Sequence, residues 1–275
     1  MLTDVLAYLR CPRCERALAD QDRSLRCPAG HTYDRARQGY VDLTTGPLRH
    51  GDTPAMVAAR ERFLAAGAYD FLAAGLAEAA AGGTGLVVDV GGGTGYYLAR
   101  LLTALSSTVG LVVDASKPAL RRAARAHPRA AAIRADVWRR LPLADHAAGL
   151  ILDVFAPRNG PEFHRILAPD GRLLVATPTP EHLAELRALE VRVLRVDPAK
   201  PARTAAALTP WFRPLASTVH RQRLALPREL VGALVAMGPS AAHVDPAALA
   251  RAVAGLPEPF PVTASVQLTS YAPNR

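Results

Sequence analysis

The chain has 275 residues, of which half are hydrophobic and about a fifth are charged, with a formal net charge of +9. This length allows one medium domain with a genuine core and a small appendage. No apolar stretch approaches a membrane span and the amino terminus lacks the basic start of a signal peptide, which predicts a cytoplasmic protein with reduced thiols. The basic excess favours a polyanionic partner such as nucleic acid, although a genomic bias towards arginine would produce part of it.

The three cysteines of the chain are Cys11, Cys14 and Cys27, and His31 follows the last of them. Three thiols and an imidazole at this spacing predict a closed, tetrahedral Cys3His zinc site that is structural rather than catalytic. The alternative, a redox Cys-x-x-Cys pair, normally belongs to a βαβ pattern, which is absent here. We therefore predict a zinc-binding module over residues 1–45 whose folding depends on the metal.

A helical connection is predicted over residues 46–85. Thr53 and Pro54 are typical of a helix cap and a first-turn proline, and the helix they begin is expected to run towards Ala81. Gly67 lies inside this stretch. We expect it to divide the helix into two pieces.

From Leu86 onwards, apolar runs alternate with helix-like segments, which predicts βαβ units around a buried parallel sheet. We therefore expect an α/β, Rossmann-like domain over residues 86–275. The predicted strands are 86–90, 109–113, 131–135, 149–155 and 172–176, followed by 189–196, 217–226 and 261–271. The last of these alternates apolar and polar residues and is expected to be an antiparallel edge strand.

A glycine-rich loop follows the first strand of this domain. Asp89 ends the strand, and glycines at 91, 93 and 95 allow a tight turn and a close backbone approach to a ligand. A dinucleotide-binding loop would need glycine where Tyr96 stands, which disfavours NAD. An acid before a Gly-x-Gly-x-Gly loop is similar to the first motif of Rossmann-like methyltransferases that use S-adenosylmethionine.

Two more acids follow the next two strands. Asp114 ends the second strand, where a carboxylate would accept from both ribose hydroxyls of the cofactor. Asp136 follows the third strand, where it would accept from the adenine amino group. Each acid alone is more often a turn or cap residue. Three acids at aligned strand ends together favour a cofactor site, formed by loop 89–95 with residues 114 and 136.

The fourth strand contains Asp153, at the edge where the methyl acceptor is expected. We treat this carboxylate as a candidate catalytic base or orienting group. Phe155, Tyr96 and Tyr97 are near the expected pocket mouth, where each would either stack on a base or pack internally. The next strand leads to His182, which the pattern alone predicts to be a solvated residue one turn into a helix.

Taken in order, several segments resemble one family, the zinc-binding large-subunit (23S) rRNA (guanine-N1)-methyltransferases, whose actinobacterial branch includes macrolide self-resistance enzymes. The matching segments cover most of the chain: CPRC with CPAGH, YDRARQGYVDL, GDTPAMVAARERFLAAGAY, VDVGGGTGYY, DASK, VFAPRNGPEF, ATPTPEHLAEL and MGPSA. Together they are specific, whereas any one alone is not.

This resemblance implies methylation of guanine N1 in an rRNA hairpin loop, with S-adenosylmethionine as donor and a zinc finger that helps to recognise the RNA. It further implies cofactor contacts from Tyr69, Gly95, Tyr96 and His182, and a homodimer. The alternative is a small-molecule methyltransferase of secondary metabolism that has retained the zinc module. A non-catalytic zinc and RNA-binding protein is a third alternative, which the intact glycine loop disfavours.

Overall fold

The computed structural model describes residues 2–48, 51–187, 206–238, 241 and 245–274. Its amino-terminal part is a small ribbon built on a three-stranded antiparallel sheet, which follows helix α1 (Leu2–Val5) and one 3-10 turn. The ribbon strands are β1 (Ala19–Gln21), β2 (Ser24–Arg26) and β3 (Thr32–Asp34). Leu25, at the centre of β2, is fully buried and fixes which face of the ribbon points inwards.

The main domain is built on one eight-stranded sheet. Its strands are β4 (Val41–Asp42), β5 (Gly85–Val90), β6 (Thr108–Asp114), β7 (Ala130–Arg134), β8 (Ala148–Val154), β9 (Leu167–Pro178), β10 (Phe212–Leu226) and β11 (Phe260–Pro273). They lie in the order β10-β11-β9-β8-β5-β6-β7-β4. Strands β4 to β9 pair in parallel, and β11 is antiparallel to both of its neighbours. This arrangement confirms the predicted Rossmann-like α/β fold.

Helices cover both faces of this sheet. They are α2 (Pro54–Ala65), α3 (Asp70–Ala79), α4 (Tyr96–Ala104), α5 (Lys117–Ala123), α6 (Gly160–Ile166), α7 (Ala184–Arg187), α8 (Arg228–Ala236) and α9 (Pro246–Ala254). Leucines of α3, α4 and α5 form the core on one face, whereas α1, the ribbon and α6 cover the other. Helices α2 and α8 pack together near β10 and β11. Within the described ranges, no helix has the length and apolar character needed to cross a membrane.

The two helices predicted before the glycine loop are confirmed. Thr53 caps α2, because its Oγ1 accepts from the backbone amide of Met56 at 3.3 Å, and Pro54 occupies the first turn. Gly67 adopts a φ of +73° in the break between α2 and α3. This left-handed conformation favours glycine and explains why the helix divides at that position.

The last strand differs from the sequence-based expectation. β11 was expected at the edge of the sheet, but it lies between β9 and β10, and β10 is the outer strand. The long pairing of β11 with β10, from Leu226 opposite Phe260 to Phe212 opposite Pro273, accounts for this, since it forms an extended hairpin-like pair. The predicted strand 189–196 lies outside the described residues.

The ribbon is joined to the main domain by backbone pairing. The Arg10 amide donates to the Pro142 carbonyl and the Ala144 amide to the Tyr8 carbonyl, both at 2.9 Å. β4 then pairs in parallel with β7 as the last strand of the main sheet. Apolar side chains of the ribbon thus share a core with the sheet. The domain boundaries at 45 and 85 remain predictions.

Candidate metal centre and cofactor site

The four predicted zinc ligands converge in the ribbon, with their ligand atoms all within 4.8 Å of one another. The His31 Nδ1 atom lies 3.4 Å from the Sγ atoms of both Cys11 and Cys27, and the Cys14 and Cys27 sulfurs are 3.6 Å apart. A tetrahedron with ordinary Zn–S and Zn–N bonds has edges of about 3.5–3.8 Å. A disulfide would need sulfurs about 2.05 Å apart. The donor set therefore fits one zinc ion.

A neighbouring tyrosine and two backbone amides stabilise the thiolate of Cys11 in this cluster. The Tyr33 hydroxyl lies 3.1 Å from Cys11 Sγ. Burial opposes ionisation of this thiol, but hydrogen bonds from Tyr33 and from the backbone amides of Arg13 and Cys14 outweigh it and lower the pKa of Cys11 to about 6. These donors favour the thiolate, which is the form that binds metal.

The glycine loop lies at the carboxyl end of β5, as predicted. Gly91, Gly93 and Gly95 have φ values of +63°, +57° and +77°, a region in which glycine carries no steric penalty. A Cβ atom on Gly91 would come within 2.8 Å of the Ala156 side chain. Gly95 precedes α4, of which Tyr96 is the first residue. The loop therefore presents backbone rather than side chains to its surroundings.

Asp89, just before this loop, is a buried carboxylate with 1% exposure. Neither of its oxygens lies in good hydrogen-bond geometry with a donor. Burial, followed by the negative charges of Asp114 and Asp153, raises the pKa of Asp89 to about 8, and the nearby Leu98 amide offsets part of this shift. Buried carboxylates usually have partners. An unsatisfied one beside a glycine cradle fits a ligand that brings hydrogen-bond donors.

The other two predicted acids lie at neighbouring strand ends of the same edge. Asp114 accepts from the backbone amides of Gly93 at 2.9 Å and Ser116 at 2.7 Å. Burial raises the pKa of Asp114, and these two amides oppose the shift. Asp136 accepts from the Trp138 amide at 3.0 Å and forms the turn after β7. Asp114 is thereby tied to the glycine loop.

Three rings that are far apart in the sequence come together in the fold. The Tyr69 hydroxyl lies 3.3 Å from His182 Nε2, and the Phe155 ring centroid is 5.8 Å from that of His182. His182 Nδ1 accepts from the Ser265 amide at 3.1 Å. The ring proton therefore resides on Nε2, and we assign it as a donor to Tyr69. Burial lowers the pKa of His182 to about 4, so the ring is neutral.

His182 differs from the pattern-based expectation in its position and surroundings. The solvated helix residue expected from the pattern is instead half-buried, in the turn before α7. Its contacts come from β11 and from the residue that precedes α3. Only the family resemblance predicted cofactor contacts from His182 and Tyr69, because the contacts of these residues are not local in sequence.

Asp153 is fully buried in β8 and lies 3.5 Å from the guanidinium of Arg158. Side chains alternate along a strand, so Asp153 shares the sheet face of Ile151, whereas Asp89 shares the opposite face with Val87. This geometry suits an orienting role towards the loop after β8 better than proton removal at an open pocket.

Sequence reasoning missed Arg60 of α2, which contacts the segment before α2, the residue after α8 and the glycine loop. Its guanidinium forms an ion pair with Asp52 and donates to the Met237 carbonyl at 3.1 Å. It also lies 3.0 Å from the point where a Gly93 Cβ would be. The Asp52 carbonyl in turn accepts from the Ser116 hydroxyl at 2.7 Å. No spacing rule relates these positions, since each is on a different element.

Comparisons with known proteins agree with this geometry. The zinc-ribbon family model described as RlmA, N-terminal, matches residues 9–47 and so includes all four cluster residues. A 23S rRNA (guanine(748)-N1)-methyltransferase from Streptomyces fradiae is 50% identical over 279 residues, which cover 99% of each chain. The chain belongs to the 23S rRNA (guanine-N1)-methyltransferase family.

Other relatives of this methyltransferase extend the comparison. A candidate 23S rRNA (guanine-N1)-methyltransferase from Micromonospora griseorubida is 55% identical and covers 99% of this chain and 100% of its own. The solved S-adenosylmethionine-dependent methyltransferase from Geobacter sulfurreducens, in complex with S-adenosylhomocysteine, is 16% identical over 74% of this chain and 90% of its own, with a TM-score of 0.48. Membership of the family confirms the predicted enzyme class, with S-adenosylmethionine and a structural zinc ion as cofactors.

Proposed function

We propose that this protein transfers a methyl group from S-adenosylmethionine to N1 of one guanine in a hairpin loop of 23S rRNA. The observation that carries the proposal is the end-to-end match to the Streptomyces fradiae enzyme, in which ribbon and catalytic domain are matched together. The corresponding guanine, 748 in the name of that relative, is the proposed target.

In this proposal, the zinc ion is held by Cys11, Cys14, Cys27 and His31. The ion neutralises thiolate charge and fixes the two ligand-bearing turns relative to each other. Because the ribbon pairs with the main domain through Arg10 and Ala144, fixing the turns also fixes the ribbon against the sheet. The ribbon is then a rigid surface for the RNA hairpin.

The cofactor is proposed to lie along the carboxyl edge of β5, β6 and β7, where Asp114 would accept from the ribose hydroxyls and Asp136 from the adenine amino group. S-adenosylmethionine supplies an electrophilic methyl group on a sulfonium. The unsatisfied oxygens of Asp89 suit the donors of its methionine part. The full proposed contact set is Tyr69, Asp89, Gly91, Gly93, Gly95, Tyr96, Asp114, Asp136 and His182.

Guanine N1 lies on the Watson–Crick edge, so the base must leave its stack or occupy an open loop before it can react. Phe155 is the proposed stacking platform. The residue is 40% exposed and its φ of +56° is unusual for a bulky residue, which indicates that the surrounding structure holds it in place. It is flanked by His182.

Catalysis in this proposal relies mainly on positioning. Bound S-adenosylmethionine would supply the methyl group to N1 with loss of its carbon–sulfur bond, and the N1 proton would pass to water. A well-held attack geometry is worth about 7–11 kcal/mol. The neutral His182 ring donates to Tyr69 and so holds that hydroxyl in place. Asp153, predicted as base or orienting group, is proposed to orient Arg158.

The test is transfer of labelled methyl from S-adenosylmethionine to naked 23S rRNA that lacks the modification, followed by nucleoside analysis. We expect 1-methylguanosine as the labelled product. No label in rRNA, from protein that binds the cofactor, would contradict the proposal and favour a small-molecule acceptor.

Three further predictions accompany this function. We predict a homodimer, which sedimentation of the purified protein tests. We also predict a cytoplasmic location, which fractionation of cells that express the protein tests. A role in macrolide resistance is tested by expression in a susceptible host. We expect a raised inhibitory concentration of macrolide only when the target guanine is methylated.

A further inference from the structure

A groove of about 940 Å³ opens on the outer side of the glycine loop. It is bounded by helices α2, α4 and α5 and by the segment that follows the last ribbon strand. Its charged lining is Arg37, Arg100, Arg121, Arg122, Arg125 and Glu61. Five guanidinium groups thus face a single carboxylate among the described lining residues.

Two of the five arginines have carboxylate partners. Arg122 Nε lies 3.0 Å from Glu61 Oε2, and Arg100 lies 3.0 Å from Asp70 and above the Tyr96 ring. The other three, Arg37, Arg121 and Arg125, form no ion pair with any residue in the described parts of the chain. The groove therefore carries an uncompensated positive charge.

The helix dipole of α5 explains only some of the arginines in this groove. Arg121 is in the last turn of α5, and Arg125 follows one turn later, so their backbones are about 6 Å apart along the helix direction. Cations near a helix carboxyl end are stabilised by the helix dipole. This stabilisation does not apply to Arg37, which comes from the ribbon side and faces the same space. The convergence of charge from two parts of the molecule needs another cause.

The groove is lined by residues of both functional regions. Thr94 and Tyr96, on either side of Gly95, come from the glycine loop and the start of α4. Arg37 and Gln38 also line it, and both lie within the segment matched by the ribbon family model. A strand lying in this groove would contact ribbon and catalytic domain together.

We propose that this groove binds the phosphodiester backbone of the rRNA substrate, and this inference rests on the proposed function. Guanidinium groups are matched to phosphate because their planar fork donates two parallel hydrogen bonds. Backbone contacts of this kind set register and affinity without reading sequence. An acidic protein segment is the competing occupant, and the salt dependence measured with RNA separates the two.

The experiment compares two double variants with the wild type. R121Q/R125Q removes two unpaired groove charges, and R213Q/R251Q removes two exposed arginines from β10 and α9 as a matched control. Binding of unmodified 23S rRNA is measured across a salt series, and S-adenosylmethionine affinity is measured in parallel. We expect the groove variant to bind RNA at least about tenfold more weakly and to lose about 1.4–1.8 from the slope of log K against log salt. The cofactor affinity stays at its wild-type value.

A third variant, R121K/R125K, separates charge from folding. It keeps both positive charges and is expected to retain the wild-type salt slope while losing bidentate contacts. An unchanged RNA affinity and slope in R121Q/R125Q, or an equal loss in R213Q/R251Q, would overturn the groove assignment. If the wild type forms 1-methylguanosine in those cases, the proposed function stands. If the wild type does not methylate rRNA, both proposals fail.

Discussion

The zinc ribbon and the cofactor edge differ in how they are assembled. The ribbon takes its ligands from a short stretch, with Cys11 and His31 only 20 positions apart. The cofactor edge joins side chains as distant as Tyr69 and His182, which are 113 positions apart. Local spacing therefore specifies the first site, whereas the second exists only once the sheet has formed.

The two sites also differ in how far their polar groups have partners within the protein itself. The ribbon donors already lie at coordination distances, and Tyr33 supports the thiolate form of Cys11. The cofactor edge instead contains a buried carboxylate without good partners at Asp89 and a bulky residue at positive φ at Phe155. Strain and unsatisfied groups concentrate where a ligand is expected. The difference suggests that the ribbon provides rigidity and the cofactor edge provides chemistry.

The largest expected effect comes from loss of the zinc site. Purified wild type should contain about one zinc ion per chain, as a closed tetrahedral site requires. Cys27→Ser should lose the ion and, because metal binding contributes on the order of 10 kcal/mol to such modules, unfold the ribbon and abolish methyl transfer to rRNA. Elemental analysis and the methyl-transfer assay measure both effects.

The matched control for this change is His31→Cys. It replaces the imidazole with a further thiolate, and a site made only of cysteine ligands also binds zinc. This variant should keep the ion and most of the activity. Metal-free wild type that remains folded and active would contradict the structural role assigned to the ribbon.

The next largest effect concerns the glycine loop. Gly91→Ala places a side chain at φ +63° and within 2.8 Å of Ala156. We expect a destabilisation of about 2–4 kcal/mol and a loss of more than tenfold in S-adenosylmethionine affinity. Gly232→Ala is the control, because its Cβ would meet nothing within 4 Å in α8, and helix propensity predicts a gain of about 0.5–1 kcal/mol there. Equal behaviour of the two variants in thermal unfolding and calorimetry would show that the loop has no special geometry.

A smaller effect is expected from titration of His182. Its pKa is about 4 in the folded protein against about 6.5 unfolded, so the unfolded chain binds the extra proton between these values. Stability from this group is complete above pH 6.5 and is lost as the pH falls towards 4, by about 2 kcal/mol. Between about pH 7 and pH 4.5, the free energy of unfolding of the wild type should fall by about 2 kcal/mol more than that of His182→Asn. Parallel profiles in urea titrations would show that burial does not hold the ring neutral.

The smallest effect is a gain in stability from Asp89→Asn. Burial raises the pKa of this group to about 8, so its ionised form is disfavoured in the folded state and the folded protein loses stability as the pH rises from about 4 through 8. The amide removes that cost, and we expect about 1–2 kcal/mol of stabilisation at pH 8 without cofactor. Affinity for S-adenosylmethionine should fall at the same time. A destabilised variant with unchanged affinity would mean that Asp89 serves the fold and not the ligand.

The same contrast explains which features could be predicted from the sequence. The convergence of the four zinc ligands could be predicted because it depends on local spacing, and the acids at 89, 114 and 136 could be proposed as cofactor contacts because each lies at a strand end. Strand β11 was misplaced because pairing order in a sheet is not local. Arg60 was missed because its partner Met237 is 177 positions away, and Tyr69 was proposed only through the family resemblance.

The most direct test of the account is to map the methylated nucleotide. Reverse transcription on unmodified 23S rRNA, treated with the protein and S-adenosylmethionine, reports N1 methylation because a methyl group on the Watson–Crick edge blocks base pairing. The account predicts one new stop, next to the guanine corresponding to 748, with wild type and none with Cys27→Ser. Absence of any stop with cofactor-binding wild type, or the same stop with the zinc-free variant, would contradict the claim that ribbon and cofactor edge act together on this RNA.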